Sequence, residues 1–327
     1  MRGLARAMCA AALVCAAVIR PAVAQDFPTR PVTLVVAAAA GGTTDVLARL
    51  VAKAMSENLK QSVVVENVVG GGATVGTRRV VRAEPDGYSL IFGNMGSLAA
   101  NLWLFPQLGF DPRTDLAPIG VVANVPMVLA VSKKSGVRDL AGFFTMLKAP
   151  GKGVDFGHSG PGTTGHIGTV TFLHVTGTKA VDIAYRGAGP AINDLIAGQI
   201  DAVMDQTVTM IPLHTGGSVT GGAVAGDERI AQLPDVPSFA EAGAPQFDFV
   251  VWNAIAAPAA TPKPILEKLE ASLKTALADP ELQARFADLA ASVPAADKQG
   301  AEPMRRLVAA DVDRLGAVIK AVGIKAQ

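Results

Sequence analysis

Val32-Thr33-Leu34-Val35-Val36-Ala37-Ala38-Ala39-Ala40-Gly41-Gly42-Thr43-Thr44-Asp45 decides the fold class. An apolar β-branched run bounded by turn residues predicts a buried strand. Gly41 and Gly42 allow a sharp turn and a close approach of backbone. Thr43, Thr44 and Asp45 are residue types that open helices. Val46, Leu47, Leu50, Val51, Ala54 and Met55 then recur at helical spacing. Amides at a helix start, with the helix dipole behind them, favour a bound anion. No residue here is an obvious catalyst, so the stretch predicts a site that holds a small anion unchanged.

Working outward, Ser62–Glu66 reads as a second strand and Tyr88–Phe92 as a third. The turn between them, Gly70-Gly71-Gly72-Ala73-Thr74-Val75-Gly76, is glycine-rich. A G-x-G-x-x-G loop would need glycine where Val75 stands, and a phosphate loop would need a lysine. It is expected to be a turn packed against the sheet. Gly93 to Ser97 follows the third strand and opens another helix. Strands alternating with helices imply a doubly wound α/β architecture, whose ligands sit outside the carboxyl ends of the strands. That rule brings the loops after Val36 and Phe92 to one edge.

Residues 105–118 are expected to be irregular, and Ile119–Val122 and Met127–Val131 to be strands interrupted at Pro126. A second α/β run follows. It has a helix from about Val137 to Lys148, strands at Val154–Gly157, Val181–Tyr185 and Gln199–Asp205, and loops at Gly160–His166 and Arg186–Pro190. After a strand at Phe249–Ile255 come helices Pro264–Leu277, Pro280–Ala290 and Glu302–Val322, each opened by proline or an acid.

The N-terminus reads as a secretory signal. Arg2 and Arg6 precede an apolar run from Ala7 to Ile19, and Ala22-Val23-Ala24 is a cleavage pattern. Removing residues 1–24 takes three arginines and no acids. The 303 residues left carry 26 basic against 28 acidic side chains, a net charge of −2. That balance leaves no nucleic-acid footprint. Cys9 and Cys15 both lie in the signal, so the mature chain has neither disulfide nor thiolate chemistry. No later apolar run approaches a membrane span.

Several motifs together resemble one family. They are Pro31–Val36 with Gly41-Gly42-Thr43-Thr44-Asp45, Pro85-Asp86-Gly87-Tyr88, Tyr185-Arg186-Gly187-Ala188-Gly189-Pro190-Ala191, and Leu233-Pro234-Asp235-Val236-Pro237-Ser238-Phe239-Ala240-Glu241-Ala242-Gly243. Essentially the whole mature chain resembles the periplasmic substrate-binding receptors of tripartite tricarboxylate transporters, the Bug family. The resemblance implies a type II periplasmic binding protein fold with two α/β lobes around a cleft. Lobe 1 would take residues 26–123 and 251–327, and lobe 2 residues 124–250. It also implies periplasmic localisation, a small carboxylate ligand (a di- or tricarboxylate, acidic amino acid or aromatic acid) and delivery to membrane transporter subunits. No cofactor, metal or nucleic acid is implied, and a monomer is expected.

The resemblance further implies the ligand contacts. From the first lobe these would be Ala39, Gly41, Gly42, Thr43, Thr44 and Asp45, with Asn94, Gly96 and Ser97. From the second they would be Ser159, Gly162, Thr163, Thr164 and His166, then Tyr185, Arg186, Gly187, Ala188 and Gly189, and Asp205. The chain departs from the family at Ala38, where phenylalanine is usual, and at Val68-Val69, where Arg-Pro is usual. A roomier or weaker pocket is expected.

Other signals are weaker. Gly157-His158-Ser159-Gly160-Pro161 spells a nucleophile elbow except that Pro161 replaces the last glycine. His158, His166 and His174 lie eight residues apart, a spacing that matches no usual metal motif. Arg186 could pair with a ligand carboxylate or form a surface ion pair. Asp205 could accept a ligand amine or hydroxyl, or cap a turn. Trp103 and Trp252 are expected to be packing residues. The alternatives to a transport receptor are an enzyme acting on a small organic acid and a ligand-dependent partner of a sensor kinase.

Overall fold

The computed structural model describes residues 27–151 and 153–324; the signal-peptide expectation lies outside the described residues. The decisive stretch forms strand β1 (Val32–Val36) and helix α1 (Thr43–Leu59). They are followed by β2 (Val63–Asn67), α2 (Thr74–Val81) and β3 (Ser89–Asn94). A π-helical stretch, Gly96–Ala100, then leads into the short α3 (Asn101–Leu104). The long β4 (Leu116–Ser132) opens the second run, with α4 (Leu140–Lys148), β5 (Asp155–His158), α5 (Thr164–Val175) and β6 (Val181–Ala184). After α6 (Ala188–Ala197) come β7 (Ala202–Gln206), α7 (Thr207–Thr215), β8 (Val219–Val224) and β9 (Val250–Pro258). The chain ends in α8 (Lys263–Leu277), α9 (Pro280–Asp288) and α10 (Ala301–Val322).

The strands lie in the order β2-β1-β3-β9-β4-β7-β5-β6, with β8 also paired to β4. β1 pairs parallel with β2 and β3, and β5 pairs parallel with β6 and β7. Between these parallel sets, β9 and β4 run antiparallel, from Leu116 opposite Pro258 to Pro126 opposite Val250. From Met127 onward β4 changes partners and pairs with β7 and β8. Each half therefore has its own parallel set, and β4 is the strand common to both.

The predicted burial of β1 holds on both faces. Val32, Leu34 and Val36 pack with Leu47, Val51 and Met55 of α1 and with Leu269 and Leu273 of α8. Val35 and Ile91 turn to the other face, toward Val80 of α2 and Leu315 of α10. Alternating side chains from one strand thus bind a helix layer to each side of the sheet. The other half is built on Phe143, Phe156, Phe172, Phe239 and Phe247. Of the two tryptophans expected to pack, Trp252 is buried and Trp103 is exposed, and both make polar ties. Trp252 donates from Nε1 to the buried Asp311 (2.6 Å), and Trp103 donates to the Val312 carbonyl (2.7 Å). Both tie α10 to the sheet region.

Three details differ from the sequence expectation. β4 is continuous through Pro126, which can join the ladder because a proline carbonyl still accepts and only its missing N–H is lost. Helix α7 contains Pro212 and β8 contains Gly221-Gly222, so neither has a legible signal for its element.

Candidate functional site

A cleft of about 550 Å³ lies where the carboxyl ends of β1, β3, β5, β6 and β7 meet. Of the residues expected to touch ligand, Ala39, Gly42, Thr43, Thr44, Asn94, Ser97, Ser159, Gly162, Thr163, Thr164, Tyr185, Arg186, Gly187, Ala188, Gly189 and Asp205 all line it. Gly41, Asp45, Gly96 and His166 do not. A second, apolar cavity under Met304 and Val308 of α10 measures about 60 Å³, too small for an organic acid.

Five helix starts border the cleft: α1, α2, α5, α6 and α7. Gly42, Ala73, Gly187 and Gln206 precede four of them, and none supplies a side-chain cap. Their first-turn amides are therefore donors without a side-chain acceptor, at the positive end of each dipole. Only α5 is capped, by Thr163 Oγ1, which accepts from the His166 amide. Two buried side-chain oxygens on the wall, Thr43 Oγ1 and Gln206 Oε1, also have no protein partner. Buried polar atoms of this kind are normally satisfied, so they mark places for water or a ligand group.

Other polar groups are already committed. Asn94 Oδ1 accepts from the amides of Gly96 (3.0 Å) and Ser97 (3.4 Å), so Gly96 serves the turn that presents Ser97. The Tyr185 hydroxyl donates to Asp194 (2.7 Å); burial, and then this bond, push the phenol up to about 12. Ser159 donates to Thr163 Oγ1 (2.9 Å) rather than to an imidazole, so the elbow-like motif holds no activated nucleophile. Arg186 is exposed on the cleft, with no ion-pair partner among the described residues.

Asp45 sits behind the loop it was expected to share with the ligand. Its carboxylate accepts from the Gly41 amide (2.9 Å), Arg49 Nε (3.0 Å) and Asn67 Nδ2 (2.9 Å). Burial raises its pKa, but Arg49, the Gly41 amide and Asn67 together hold it below the usual carboxylate range. Asn67 also donates to the Ala38 carbonyl (3.1 Å), so this cluster fixes the shape of residues 38–45. His166 is likewise behind the wall, and its ring lies beside that of His158 although their spacing matches no usual metal motif. The chain folds back after β5, and the His158 and His166 rings lie 4.6 Å apart between centroids. His158 Nε2 meets Asp182 Oδ1 at 2.8 Å. Ring nitrogens of both histidines and a carboxylate oxygen of Asp182 lie within 4.8 Å of one another. The Gly160 amide donates to His158 Nδ1 (3.1 Å) and the Gly162 amide to His166 Nδ1 (3.3 Å). With Nδ1 accepting, the ring proton sits on Nε2 in each, which leaves no lone pair free for a metal.

Among the described residues Asp205 is the one carboxylate on the wall. It accepts from the Gln206 amide (2.8 Å), the Thr209 hydroxyl lies close by while donating to the Gln206 carbonyl (2.9 Å), and no basic side chain reaches it among the described residues. Burial raises its pKa from 3.8 to about 6, against the lowering effect of those two neighbours. Its ionised form is thus disfavoured in the fold, so stability is lost as pH rises from about 4 through 6 and stays low above. Asp205→Asn is expected to raise stability at pH 7.5 by up to about 3 kcal/mol. The gain should vanish by pH 4, as read by thermal unfolding across pH. An equal effect at both pH values would show that ionisation is not the cause.

Val69, tied to the pocket by its departure from the family, lines the cleft, and sequence reasoning missed Gly70–Ala73 and Phe105, which also line it. The glycine run is not merely packed against the sheet. A Cβ on Gly72 would lie 2.3 Å from the Pro161 carbonyl and 2.9 Å from Phe105 Cζ. The walls also approach at Gly187, whose Cβ would lie 3.3 Å from Ala39 Cβ. Phe105 gives the cleft an aromatic face although Ala38 lacks one.

The model of the tripartite tricarboxylate transporter family receptor matches residues 47–324. A UPF0065 protein of Agrobacterium vitis, encoded in the ttuE–ttuC' intergenic region, is 38% identical over 315 residues, 95% of this chain and 91% of its own. Among solved structures, the periplasmic binding protein BugD superposes with a TM-score of 0.87 at 34% identity, covering 92% of this chain and all of that one. MatC of Rhodopseudomonas palustris, solved with bound malate, gives 0.85 at 33% identity over 90% of this chain and all of its own.

Proposed function

This chain belongs to the tripartite tricarboxylate transporter family of receptors, and from that premise we propose that its cleft captures a small carboxylate for delivery to a membrane transporter. The family is one of periplasmic solute-binding proteins with the two-lobed α/β fold. The observation that carries the reading is the convergence of uncapped helix starts from both halves of the sheet on one cleft. Such amides stabilise an anion without an arginine cluster. Arg186 supplies one cation at the edge, and the relative MatC holds malate.

Asp205 favours a ligand that offers a hydrogen-bond donor at its far end, as a hydroxyl or amine does. Above pH 6 the carboxylate accepts that donor; below it the protonated acid can itself donate. The ligand class is thus a hydroxy- or amino-substituted dicarboxylate. The ligand-contact roles of the wall residues belong to the same proposal, as does the division into lobes 26–123 with 251–327 and 124–250. Strands β4 and β9 would then be the hinge, flexing where β4 changes partners between Pro126 and Met127. Export by residues 1–24, action as a monomer, and capture without catalysis complete the reading. Among the described residues no helix is long and apolar enough to cross a membrane.

A thermal-shift panel of di- and tricarboxylates, acidic amino acids and aromatic acids tests it. Ligand at about 100 times Kd adds about 2.7 kcal/mol, a rise of several degrees in Tm. Malate and its amino analogue are expected to give the largest shifts. A panel in which no acid moves Tm would overturn the receptor reading, and turnover of a bound acid would replace it with an enzyme.

A further inference from the structure

Behind the loop that joins β5 to α5, two imidazoles accept backbone hydrogen bonds from that loop. The Gly160 amide donates to His158 Nδ1 at 3.1 Å and the Gly162 amide to His166 Nδ1 at 3.3 Å. His158 is fully buried and His166 nearly so. The loop they hold, Ser159 to Gly162, lies on the cleft wall, while neither ring does. We propose that His158 and His166 are positioning residues: their Nδ1 acceptors fix the Ser159–Gly162 segment for the ligand, and protonation of His166 releases it. The proposal rests on the reading of the cleft as a ligand site.

The chemistry follows from the acceptor atoms. A protonated imidazole donates from both nitrogens, so its Nδ1–H would face the amide N–H it now accepts. Two charged rings at 4.6 Å between centroids would also repel. Asp182, beside His158 Nε2 at 2.8 Å, is the carboxylate that meets the pair. Charged and titratable groups on the surrounding elements are Asp155 on β5, Tyr185 and Arg186 after β6, Asp194 on α6 and Asp205 on β7. Tyr185 is bound to Asp194, and Asp205 faces the cleft.

The sign is fixed by His166. Burial, and then His158, push its pKa down to about 4, with Asp182 opposing. A released ring returns to about 6.5. The positioning contribution is therefore complete above about pH 6.5 and is lost as pH falls toward 4, by up to about tenfold in loop population per pH unit. Asp205 acts oppositely, because its protonation near pH 6 removes a negative charge from an anion site. Ligand affinity alone would mix the two effects.

Nitrogen-15 NMR of the ligand-free protein separates them. Both Nδ1 atoms are expected to be unprotonated at pH 7.5. The Gly162 amide resonance should move together with the His166 ring as pH falls below 6.5. A proton on either Nδ1 at pH 7.5, or a Gly162 amide that stays fixed while His166 titrates, would overturn the proposal. Variants add an independent arm, since asparagine places Oδ1 near the position of Nδ1 with nothing to titrate. His158→Asn and His166→Asn should keep malate affinity at pH 7.5 within about threefold, and His166→Asn should bind more tightly than wild type at pH 5. His166→Phe, which removes the acceptor, should lose about tenfold at pH 7.5. Identical pH profiles for wild type and His166→Asn would also overturn it. Failure of every acid to bind would reject the receptor reading and leave the NMR result to decide this one.

Discussion

Gly72→Ala is expected to weaken capture of the panel's best acid at least tenfold while leaving the fold intact. The added Cβ would lie 2.3 Å from the Pro161 carbonyl oxygen, on the opposite wall, and 2.9 Å from Phe105 Cζ. A backbone carbonyl cannot swing aside as the end of a side chain can. The walls must therefore stand farther apart at this point, and amides from the two halves can no longer converge on one anion. A tenfold loss corresponds to about 1.4 kcal/mol. Gly72 also has φ +58°, so an alanine there carries backbone strain of about 1–2 kcal/mol. That strain is present with or without ligand, so it reduces stability but not affinity. Gly177→Ala isolates it, because Gly177 has φ +62° and nothing within 4 Å of the added Cβ. Calorimetric titration should show wild-type affinity for Gly177→Ala and a loss only for Gly72→Ala. Equal affinities would mean that the walls need not meet at Gly72.

The same glycine shows where sequence reasoning reaches its limit. β1, its loop and α1 were legible because one short segment carries strand, turn and helix signals in succession. The carboxyl-edge rule then gathered the loops after β1 and β3 without any knowledge of side chains. The glycine run was read as packing because its function lies in a neighbour, Pro161, 89 positions away in sequence. The histidine pair was missed for a related reason. Its eight-residue spacing spans a strand end, a loop and a helix start, and only the fold-back brings the rings together. Asp45 was legible as a loop residue but not as the anchor of that loop, since Asn67 comes from β2 and Arg49 lies one helical turn on. Local periodicity reports which face a residue takes; it does not report which distant atom completes its hydrogen bonds.

The largest loss of stability is expected from Phe172→Ala. Phe172 lies in α5, the helix whose start places Thr163 and Thr164 on the cleft. Its ring meets five others: Phe143 (6.4 Å between centroids), Phe144 (5.9 Å), Phe156 (6.5 Å), Phe239 (5.7 Å) and Phe247 (5.6 Å). Phe144 is stacked on it at 15°, and Phe247 meets it edge-on at 86°. Truncation removes the ring and leaves a cavity whose rigid aromatic neighbours cannot collapse into it, at a cost of about 3–5 kcal/mol. Phe172→Leu keeps most of the volume and should cost less than about 1.5 kcal/mol if the neighbours repack. Urea denaturation should show a lower midpoint for the alanine variant with little change in slope. The effect should also reach the site. Phe156 in β5 and Phe172 in α5 lie on either side of the Ser159–Thr163 loop, and their packing fixes how the strand hands over to the helix. Affinity should therefore fall with stability in Phe172→Ala and recover with it in Phe172→Leu. An alanine variant that loses less than about 1 kcal/mol would show that α5 is anchored by its other contacts and not by this aromatic cluster.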